Sequence, residues 1–545
     1  MRPLLFCAGL HTLWCGTLYF YNEGFAFGSP VQDRPLLSML LLFAMGFVIY
    51  FVSLKVALKS PAAPRLPVIV LGASALFRVI LLPTNPILEI DIYRYLWDGA
   101  ALNQGVNPYR YSPEQVIQAV AGQDMPADLR TLVTLRDTSP SLNEILKRIH
   151  YQEIATVYPP ISQLVFAVAD RCAPDTTTVS MRVLILKCIL VFFDLGTCVM
   201  VLFLLNLVGT HPGWAISYAW CPLVLKEFAN TGHLDSIAVF FATAGVWFVA
   251  RAIRFELGSN LTVSVASLVM ALSIGSKLYA VVLVPVCAAI LLSKKNWRVS
   301  LYFVFISLGI GGVFVAPQIA THPYVTRAHF SAELAHDGAI QAEESVTNSG
   351  LTTFLTQWEM NDFLFMVFRE NLRPVVVAEE RPSIWFAIVP NSWRASLSNC
   401  LSELCGGDVK ATSFLTARAL TLLIYSIILL MLVKRVYAEA SLEYYLQAVF
   451  LTLAWFWLLS PTQNPWYWSW ALPFVPFARH RVWMAVSPIA FLYYCRFWFS
   501  DQFAEQRILE TSYEGAEFYD YVVIWLIYLP WLSWLAFSQQ KAKEQ

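Results

Sequence analysis

Long apolar windows recur along the whole chain, and they constrain its fold more than any other feature. A window of about 17 to 25 apolar residues can cross the hydrocarbon core of a bilayer as a helix. Of the 545 residues, 57% are hydrophobic and only 14% are charged, which exceeds the apolar share of a soluble domain. We therefore predict an all-α, polytopic transmembrane helical bundle of about 12 to 14 spans, with outer-face loops that carry short helices. The apolar windows lie near residues 3–21, 36–57, 67–83, 181–207, 213–229, 234–252, 261–276, 277–292, 300–317, 412–433, 443–460, 466–479, 482–497 and 519–537.

The charge balance and the cysteine spacing exclude several other classes of protein. Lys plus Arg and Asp plus Glu both number 37, so nothing indicates a nucleic-acid partner or a polybasic membrane patch. The 10 Cys residues show no metal-type CxxC spacing. Glu89 and Asp91, two acids one residue apart, are weak evidence for a divalent metal. We predict no metal and no cofactor.

Basic residues in the loops predict the orientation of the chain, because cytoplasmic loops carry an excess of Lys and Arg. Two long loops, 84–180 and 318–411, fall on the opposite, outer face. Both termini are then predicted to be cytoplasmic, which agrees with an even number of spans. The basic loops lie at residues 58–65, 251–255, 293–298, 434–437 and 478–481, and the tail 541–545 joins them.

Polar clusters coincide on the predicted outer face. Scattered loop polarity would fall on both faces, so this coincidence predicts one shared site near the outer membrane boundary. Each cluster also has an ordinary explanation: a solvated loop acid, an i,i+4 ion pair, an interfacial aromatic belt, a helix cap or a snorkelling lysine. The clusters lie at residues 89–98, 156–160, 226–235, 275–279, 357–362 and 460–468.

Taken together, the polar residues indicate a particular chemistry. Lys277 interrupts two apolar runs, and with a His and a further Lys nearby it offers a site for a phosphate in a partly dry setting. A carboxylate without a partner, in an adjacent loop, is what activation of a hydroxyl group requires.

Four segments resemble the signature segments of a known family. They are DIYRYLWDGAALNQGVNPYRYSP (91–113), YPPISQ (158–163), KEFANTGHLD (226–235) and NPWYWSWALP (464–473). They resemble the GT-C glycosyltransferase superfamily, and within it the bacterial polyprenol-phosphate-mannose-dependent mannosyltransferases. The resemblance covers about residues 67–480. It implies N-terminal transmembrane helices at 1–66, a catalytic core at 67–480, and C-terminal helices with a cytoplasmic tail at 481–545.

The resemblance also implies an activity and a place in the cell. The chain would be an inverting transferase that moves a hexose, mannose by resemblance, from a polyprenyl-phosphate donor to a glycan or glycolipid acceptor. It would lie among the lipids of a bacterial inner membrane with its site facing the exterior. Nucleotide sugars stay in the cytoplasm, so an outward-facing site needs a lipid carrier that has crossed the membrane. The sequence leaves the acceptor open.

Roles for individual residues follow from the resemblance and from their chemistry. Asp91 matches the acid that serves the family as catalytic base, and Glu89 is the second candidate. The donor phosphate is predicted to bind Lys277, His233, Lys226 and Arg94. The sugar and acceptor are predicted to contact Trp97, Asp98, Asn107, Tyr109, Tyr158, Asn230, Asp235, Gln463, Asn464, Trp466 and Tyr467.

Other classes of protein remain as alternatives. A secondary transporter would explain the spans and three charges within them, Arg78, Lys187 and Asp194. A lipid-linked glycan ligase or polymerase would share the outward site, but its motifs are missing. A purely structural membrane protein would not explain why the polar clusters coincide.

Overall fold

The computed structural model describes residues 1–174, 176–255, 259–321, 323, 350–375, 383–405, 409–504 and 506–544. The predicted outer loop 318–411 therefore lies partly outside the described residues. Within them the chain is 77% helical and has no strand, which confirms the all-α prediction. The α-helices, in chain order, are α1 (Arg2–Tyr21), α2 (Leu36–Lys59), α3 (Arg65–Leu81), α4 (Ile92–Asn103), α5 (Pro113–Gln118), α6 (Ala127–Thr138), α7 (Pro140–Lys147), α8 (Pro160–Arg171), α9 (Val179–Leu207), α10 (Ile216–Ala219), α11 (Pro222–Val224), α12 (Asp235–Arg254), α13 (Ser259–Ser276), α14 (Val284–Lys294), α15 (Trp297–Ala320), α16 (Gly350–Thr356), α17 (Leu364–Leu372), α18 (Asn391–Cys405), α19 (Val409–Glu439), α20 (Leu442–Leu459), α21 (Val486–Phe491), α22 (Cys495–Gln502), α23 (Gly515–Phe518) and α24 (Ile524–Glu544).

Nine helical segments of the described chain are long and apolar enough to cross a membrane. Two shorter apolar helices, Asn260–Ser276 and Leu278–Lys294, match two further predicted windows, and α3 matches the window 67–83. The nine segments are Arg2–Phe25, Leu36–Lys59, Val179–Leu207, Asp235–Arg254, Trp297–Ala320, Ala411–Glu439, Leu442–Leu459, Arg481–Gln502 and Gly515–Ser538.

The two remaining predicted spans are not continuous helices. The window 213–229 consists of short helical pieces that end in a π-helix, Leu225–Asn230. The window 466–479 is made of two 3₁₀-helices, Pro465–Trp470 and Leu472–Phe477. Proline causes the breaks, because it removes a backbone donor and clashes with the preceding turn; the prolines are Pro222, Pro465, Pro473 and Pro476. Interrupted backbone is tolerated at membrane depth only where protein covers it, and almost every residue of these pieces is buried.

The loop 84–180, which is predicted to face outward and is called the first outer loop on that basis, folds into a small helical layer, the first outer layer. Helix α4 packs against α8 and α7, and its residues share a second apolar core with α9. At Gly99 an added Cβ would lie 2.4 Å from the Phe166 carbonyl oxygen, so only glycine lets α4 approach α8 this closely. The layer places Asp91 at the N-terminus of α4.

Buried charges fix the helices on which this layer stands. Arg78 of α3 pairs with Asp194 of α9 at 2.5 Å with both side chains fully buried, and the Tyr218 hydroxyl donates to Asp194 over 2.8 Å. Lys187 donates to the Thr84 carbonyl over 2.6 Å, just past the end of α3. All three charged residues named in the transporter alternative therefore have bonding partners inside the protein.

A short backbone pairing connects the predicted outer loop 318–411 to residues 461–463, which come just before the second interrupted segment. The Met360 amide donates to the Pro461 carbonyl, and the Gln463 amide donates to the Met360 carbonyl, both over 2.9 Å. The Asn361 side chain donates to the Gln463 carbonyl over 3.0 Å. Residues 360–361 and 461–463, about a hundred residues apart in sequence, thus lie side by side. Trp358, just before the first of these segments, contacts Tyr151 of the first outer layer.

Candidate active site

An open cleft lies between the two loops that are predicted to face outward, with about 420 Å³ of empty space that includes open solvent. Asp91 lies in its wall, part-buried, and the Tyr158 hydroxyl hydrogen-bonds to the Asp91 carboxylate. Burial, followed by the charge of Asp91, raises the pKa of Tyr158, so this hydroxyl stays a donor. The cleft is lined by Asp91, Arg94, His150, Tyr151, Ile154, Ala155, Thr156, Val157, Tyr158, Gly350 and Trp358.

Glu89, the second predicted base, does not line the cleft. Its Oε1 atom is enclosed and has no hydrogen-bond partner among the described residues. Burial raises the pKa of Glu89 to about 8, and nearby Lys226 opposes that shift. At neutral pH the carboxyl is mainly protonated and cannot accept a proton, so the geometry favours Asp91 as the base.

Arg94 lines the cleft but contacts backbone carbonyls. Its Nη2 donates to the Tyr151 carbonyl over 2.9 Å and to the Ile154 carbonyl over 3.0 Å. Arg94 therefore holds the turn that forms one wall, and this position does not favour its predicted role on the donor phosphate.

Lys277 lies at the break between α13 and the 3₁₀-helix Leu278–Leu283. Its ammonium donates to both Asp235 oxygens over 2.7 Å and sits 4.3 Å from the Tyr467 ring centre. The Trp470 indole donates to the same Asp235 over 2.6 Å. Electrostatic interactions connect Asp91 to Lys277 and to Tyr467. The fold thus brings the predicted base and a predicted phosphate ligand to one place; this Lys277 cluster consists of Lys277, Asp235, Tyr467 and Trp470.

A second lysine cluster lies on the side of Glu89. The Lys226 ammonium donates to Glu227 over 3.2 Å and also to the Tyr494 hydroxyl, which donates to Glu227 over 2.7 Å. His233 stacks on Trp466 with ring centres 4.2 Å apart. Its Nε2 lies 3.3 Å from Glu227, and its Nδ1 has no partner among the described residues. This Lys226 cluster consists of Lys226, Glu227, His233, Trp466 and Tyr494.

Two residues predicted to contact sugar lie inside the first outer layer. Trp97 and Asp98 are 3% and 2% exposed, because helices pack on every side of α4. Asp98 accepts a hydrogen bond from Gln163 over 3.1 Å. Burial raises the pKa of Asp98 to about 6, while Arg94 opposes the shift. Neither side chain lines the cleft, so their positions do not favour the predicted roles.

The remaining predicted sugar ligands are bonded to backbone or to neighbouring side chains. Asn230 donates to Thr84 and Asn85 and accepts from the Ile87 amide, so it shapes the segment that leads to Asp91. The Tyr109 hydroxyl donates to the Tyr158 carbonyl over 2.7 Å.

Three further members of this set lie outside the cleft lining. Asn107 donates to Thr321 over 2.8 Å. Gln463 is fully buried and donates to the Leu458 carbonyl. Asn464 is buried, and its Oδ1 has no hydrogen-bond partner among the described residues.

Sequence reasoning missed several residues that shape the site. Tyr151 and His150 line the cleft but belong to no motif. Trp358 lies in the polar cluster 357–362, and that cluster was the signal that could have identified it. Glu227 and Trp470 lie within the resembling segments, where their acidic and aromatic character gave a similar signal.

The arrangement does not assemble a metal site from the described residues. No group of three or more His, Cys, Asp or Glu side chains among them is placed to hold a metal ion. The chemistry that the site offers is a carboxylate in an open cleft, with two ammonium groups held nearby.

The fold and this site define a class: a polytopic helical membrane protein with an acid in the lining of a cleft formed by two of its long loops. A family model described as alpha-(1->6)-mannopyranosyltransferase, N-terminal domain, matches residues 20–293, which is half of the chain. The chain therefore belongs to this family, the MptA_B family, and is a mannosyltransferase. Neither the curated proteins nor the solved structures gave a match.

Proposed function

We propose that the chain is a GT-C-type transferase that moves mannose from a polyprenyl-phosphate donor to a hydroxyl group of a glycan or glycolipid, on the outer face of the membrane. The description of the family model supports an α-(1->6) linkage, and so a 6-hydroxyl group as the acceptor. The observation that carries the proposal is Asp91, a carboxylate that lines an open cleft, accepts the Tyr158 hydroxyl and interacts with Lys277.

The reaction is a single displacement with inversion. The acceptor oxygen attacks the anomeric carbon and gives its proton to Asp91, a contribution of about 10²- to 10⁴-fold. The bond between that carbon and the phosphate oxygen breaks, and the polyprenyl phosphate leaves with the electron pair. Tyr158 orients the carboxylate through its hydrogen bond.

Negative charge grows on the departing phosphate, and Lys277 together with His233 supplies the groups that stabilise it. An ammonium has three N–H donors, and Lys277 gives two of them to Asp235. The third is then available for a phosphate oxygen. His233 Nδ1 is buried without a partner among the described residues, and such a group calls for an explanation; binding of the phosphate supplies one.

The direct test uses purified protein and a radiolabelled polyprenyl-phosphate mannose. Asp91→Asn keeps the shape of the side chain and removes its basicity, so we expect transfer to fall by at least about 10²-fold with donor binding unchanged. Glu89→Gln, the matched control, should cost much less. The assignment of the base fails if Glu89→Gln abolishes transfer and Asp91→Asn does not, or if neither variant changes product formation. The transferase proposal fails if the natural protein forms no product.

Sidedness needs a separate experiment. Cysteine introduced at Gln104, which is exposed past the end of α4, should react with an impermeant thiol reagent from outside intact cells. Cysteine at Lys294, which is exposed in the basic loop 293–298, should react only after the cells are opened. The exposed natural thiols Cys172, Cys188 and Cys400 are first changed to serine. The opposite pattern of labelling would contradict both the orientation and the lipid donor.

A further inference from the structure

The lining of the cleft that contains Asp91 also carries two aromatic rings from different loops. Tyr151 belongs to the first outer loop and is 49% exposed, and Trp358 follows α16 in the second. Their ring centres are 5.1 Å apart with the planes tilted by 44°. Flat apolar faces of this kind suit the C–H face of a sugar ring.

The backbone at Tyr151 is strained, and the structure holds it in that state. Its φ is +52°, in the left-handed region that non-glycine residues rarely adopt. The Tyr151 carbonyl accepts from Arg94 and from the Ile154 amide, which locks the turn. Strained residues persist where the surroundings fix them, and they cluster at ligand sites.

The position of α16, which precedes Trp358, is also fixed by close packing. A Cβ added to Gly350, the first residue of α16, would lie 2.3 Å from the Ala155 carbonyl oxygen. Only glycine allows this approach, which sets α16 against the first loop and leaves Trp358 facing Tyr151. The two rings therefore form a platform that both loops hold in place.

The charges in the cleft select against an anion. Arg94 is the only Lys or Arg in the described lining, and it donates to two carbonyls. Asp91 repels a carboxylate or phosphate group on the ligand. A neutral sugar needs no cation from the lining, and Asp91 does not repel it.

We infer that this cleft is the acceptor subsite, in which Tyr151 and Trp358 hold the terminal hexose of a neutral glycan or glycolipid with its hydroxyl group toward Asp91. The inference rests on the proposed function and adds the acceptor class and the side from which it enters. The donor phosphate then lies on the other side of Asp91, at the Lys277 cluster.

The test measures steady-state transfer from polyprenyl-phosphate mannose to an alkyl α-mannoside in detergent. Tyr151→Ala and Trp358→Ala should each raise the KM for the mannoside about tenfold while the KM for the donor stays within about twofold. Tyr151→Phe keeps the ring and should behave like the natural protein. Trp393→Ala, at a 73% exposed Trp on α18, is the matched control and should change neither constant.

Tyr151→Gly separates a binding role from a structural one. Glycine adopts a positive φ freely, so the thermal unfolding midpoint (Tm) should hold or rise while the KM for the mannoside still increases about tenfold. A lower Tm with an unchanged KM would overturn the inference, as would a rise in the KM for the donor alone.

A binding measurement distinguishes failure of this inference from failure of the proposed function. Saturation-transfer NMR should detect the mannoside on the natural protein and lose most of the signal in Tyr151→Ala and Trp358→Ala. Ring-dependent binding without any transfer would overturn the proposed function and leave the subsite intact. If Tyr151→Ala and Trp358→Ala both left transfer unchanged, the acceptor-subsite inference would be overturned and the transferase proposal would stand.

Discussion

Lys226 and Lys277 lie at two interruptions between apolar segments, yet their surroundings differ. The Lys226 side chain is fully buried between Glu227 and Tyr494, also fully buried. The Lys277 side chain is 17% exposed, although its partner Asp235 is buried. Both lysines are candidates for the donor phosphate from sequence, but of the two only the Lys277 side chain is partly exposed to solvent.

The difference separates two uses of a buried charge. An ammonium sealed with its carboxylate is a structural element, since removal of one partner leaves an uncompensated charge. An ammonium at a boundary can exchange part of its pairing for a ligand. We therefore expect substitutions in the Lys226 cluster to change stability first, and substitutions in the Lys277 cluster to change catalysis first.

The largest effect is expected from Glu227→Gln. This change leaves the Lys226 charge buried beside a neutral amide, and breaking a buried pair in this way costs about 3 to 5 kcal/mol of unfolding free energy. Thermal unfolding in detergent would measure the loss as a lower Tm, and size-exclusion chromatography would show less folded protein.

Two variants control this prediction. The double variant Lys226→Met/Glu227→Gln removes both charges and should recover part of the lost stability. Glu439→Gln breaks an ion pair with Arg435 whose side chains are 58% and 39% exposed, and it should cost about 0.5 kcal/mol or less. If Glu227→Gln behaved like Glu439→Gln, Lys226 would not be sealed and the comparison would not hold.

Lys277→Ala should lower catalysis more than stability. It removes an ammonium from the departing phosphate, so kcat/KM should fall by about 10²- to 10³-fold, with a smaller drop in Tm than Glu227→Gln causes. Lys277→Arg should recover only part of the rate, because a planar guanidinium places its charge differently. Steady-state rates with polyprenyl-phosphate mannose would decide; full activity in the Ala variant would reduce Lys277 to a structural role.

A further expected effect is a pH dependence from Glu89, which interacts with Lys226. In the unfolded chain this carboxyl has its ordinary pKa of 4.5, and in the folded protein burial raises the pKa to about 8. Between these values the folded state binds more protons, so the unfolding free energy falls as pH rises through that window. Glu89→Gln removes this dependence, and its Tm should fall less between pH 4.5 and pH 8. If the Tm of the natural protein and of Glu89→Gln fell equally with rising pH, Glu89 would not be buried as a neutral acid.

Much of the fold follows from the apolar windows, and less of the site does. Bilayer thickness fixes the length of a span, so most windows agree with observed helices. The windows 213–229 and 466–479 differ, because proline within an apolar run breaks the helix without reducing its hydrophobicity. The hydrophobicity of a window therefore does not show whether its helix is broken.

In the site, residue type alone could not separate ligand-facing side chains from packed ones. Trp97 and Asp98 have the chemistry of sugar ligands, yet the helices packed against α4 bury both side chains. Asn230 has the same chemistry, yet it bonds to the backbone that leads to Asp91. A polar side chain that serves the structure has the same sequence signature as one that serves a substrate.

The sequence by itself determined that this is a helical membrane protein, with an acid at the start of a long loop and lysines at breaks between apolar runs. These features depend on hydrophobicity and local backbone rules, which act over a few residues. Only the tertiary structure decided that Asp91 and not Glu89 lines the cleft, that Lys226 is fully buried while the Lys277 side chain is partly exposed, and that Tyr151 faces Trp358. Those outcomes depend on which segments meet, since burial and electrostatic surroundings are set by neighbours far away in sequence.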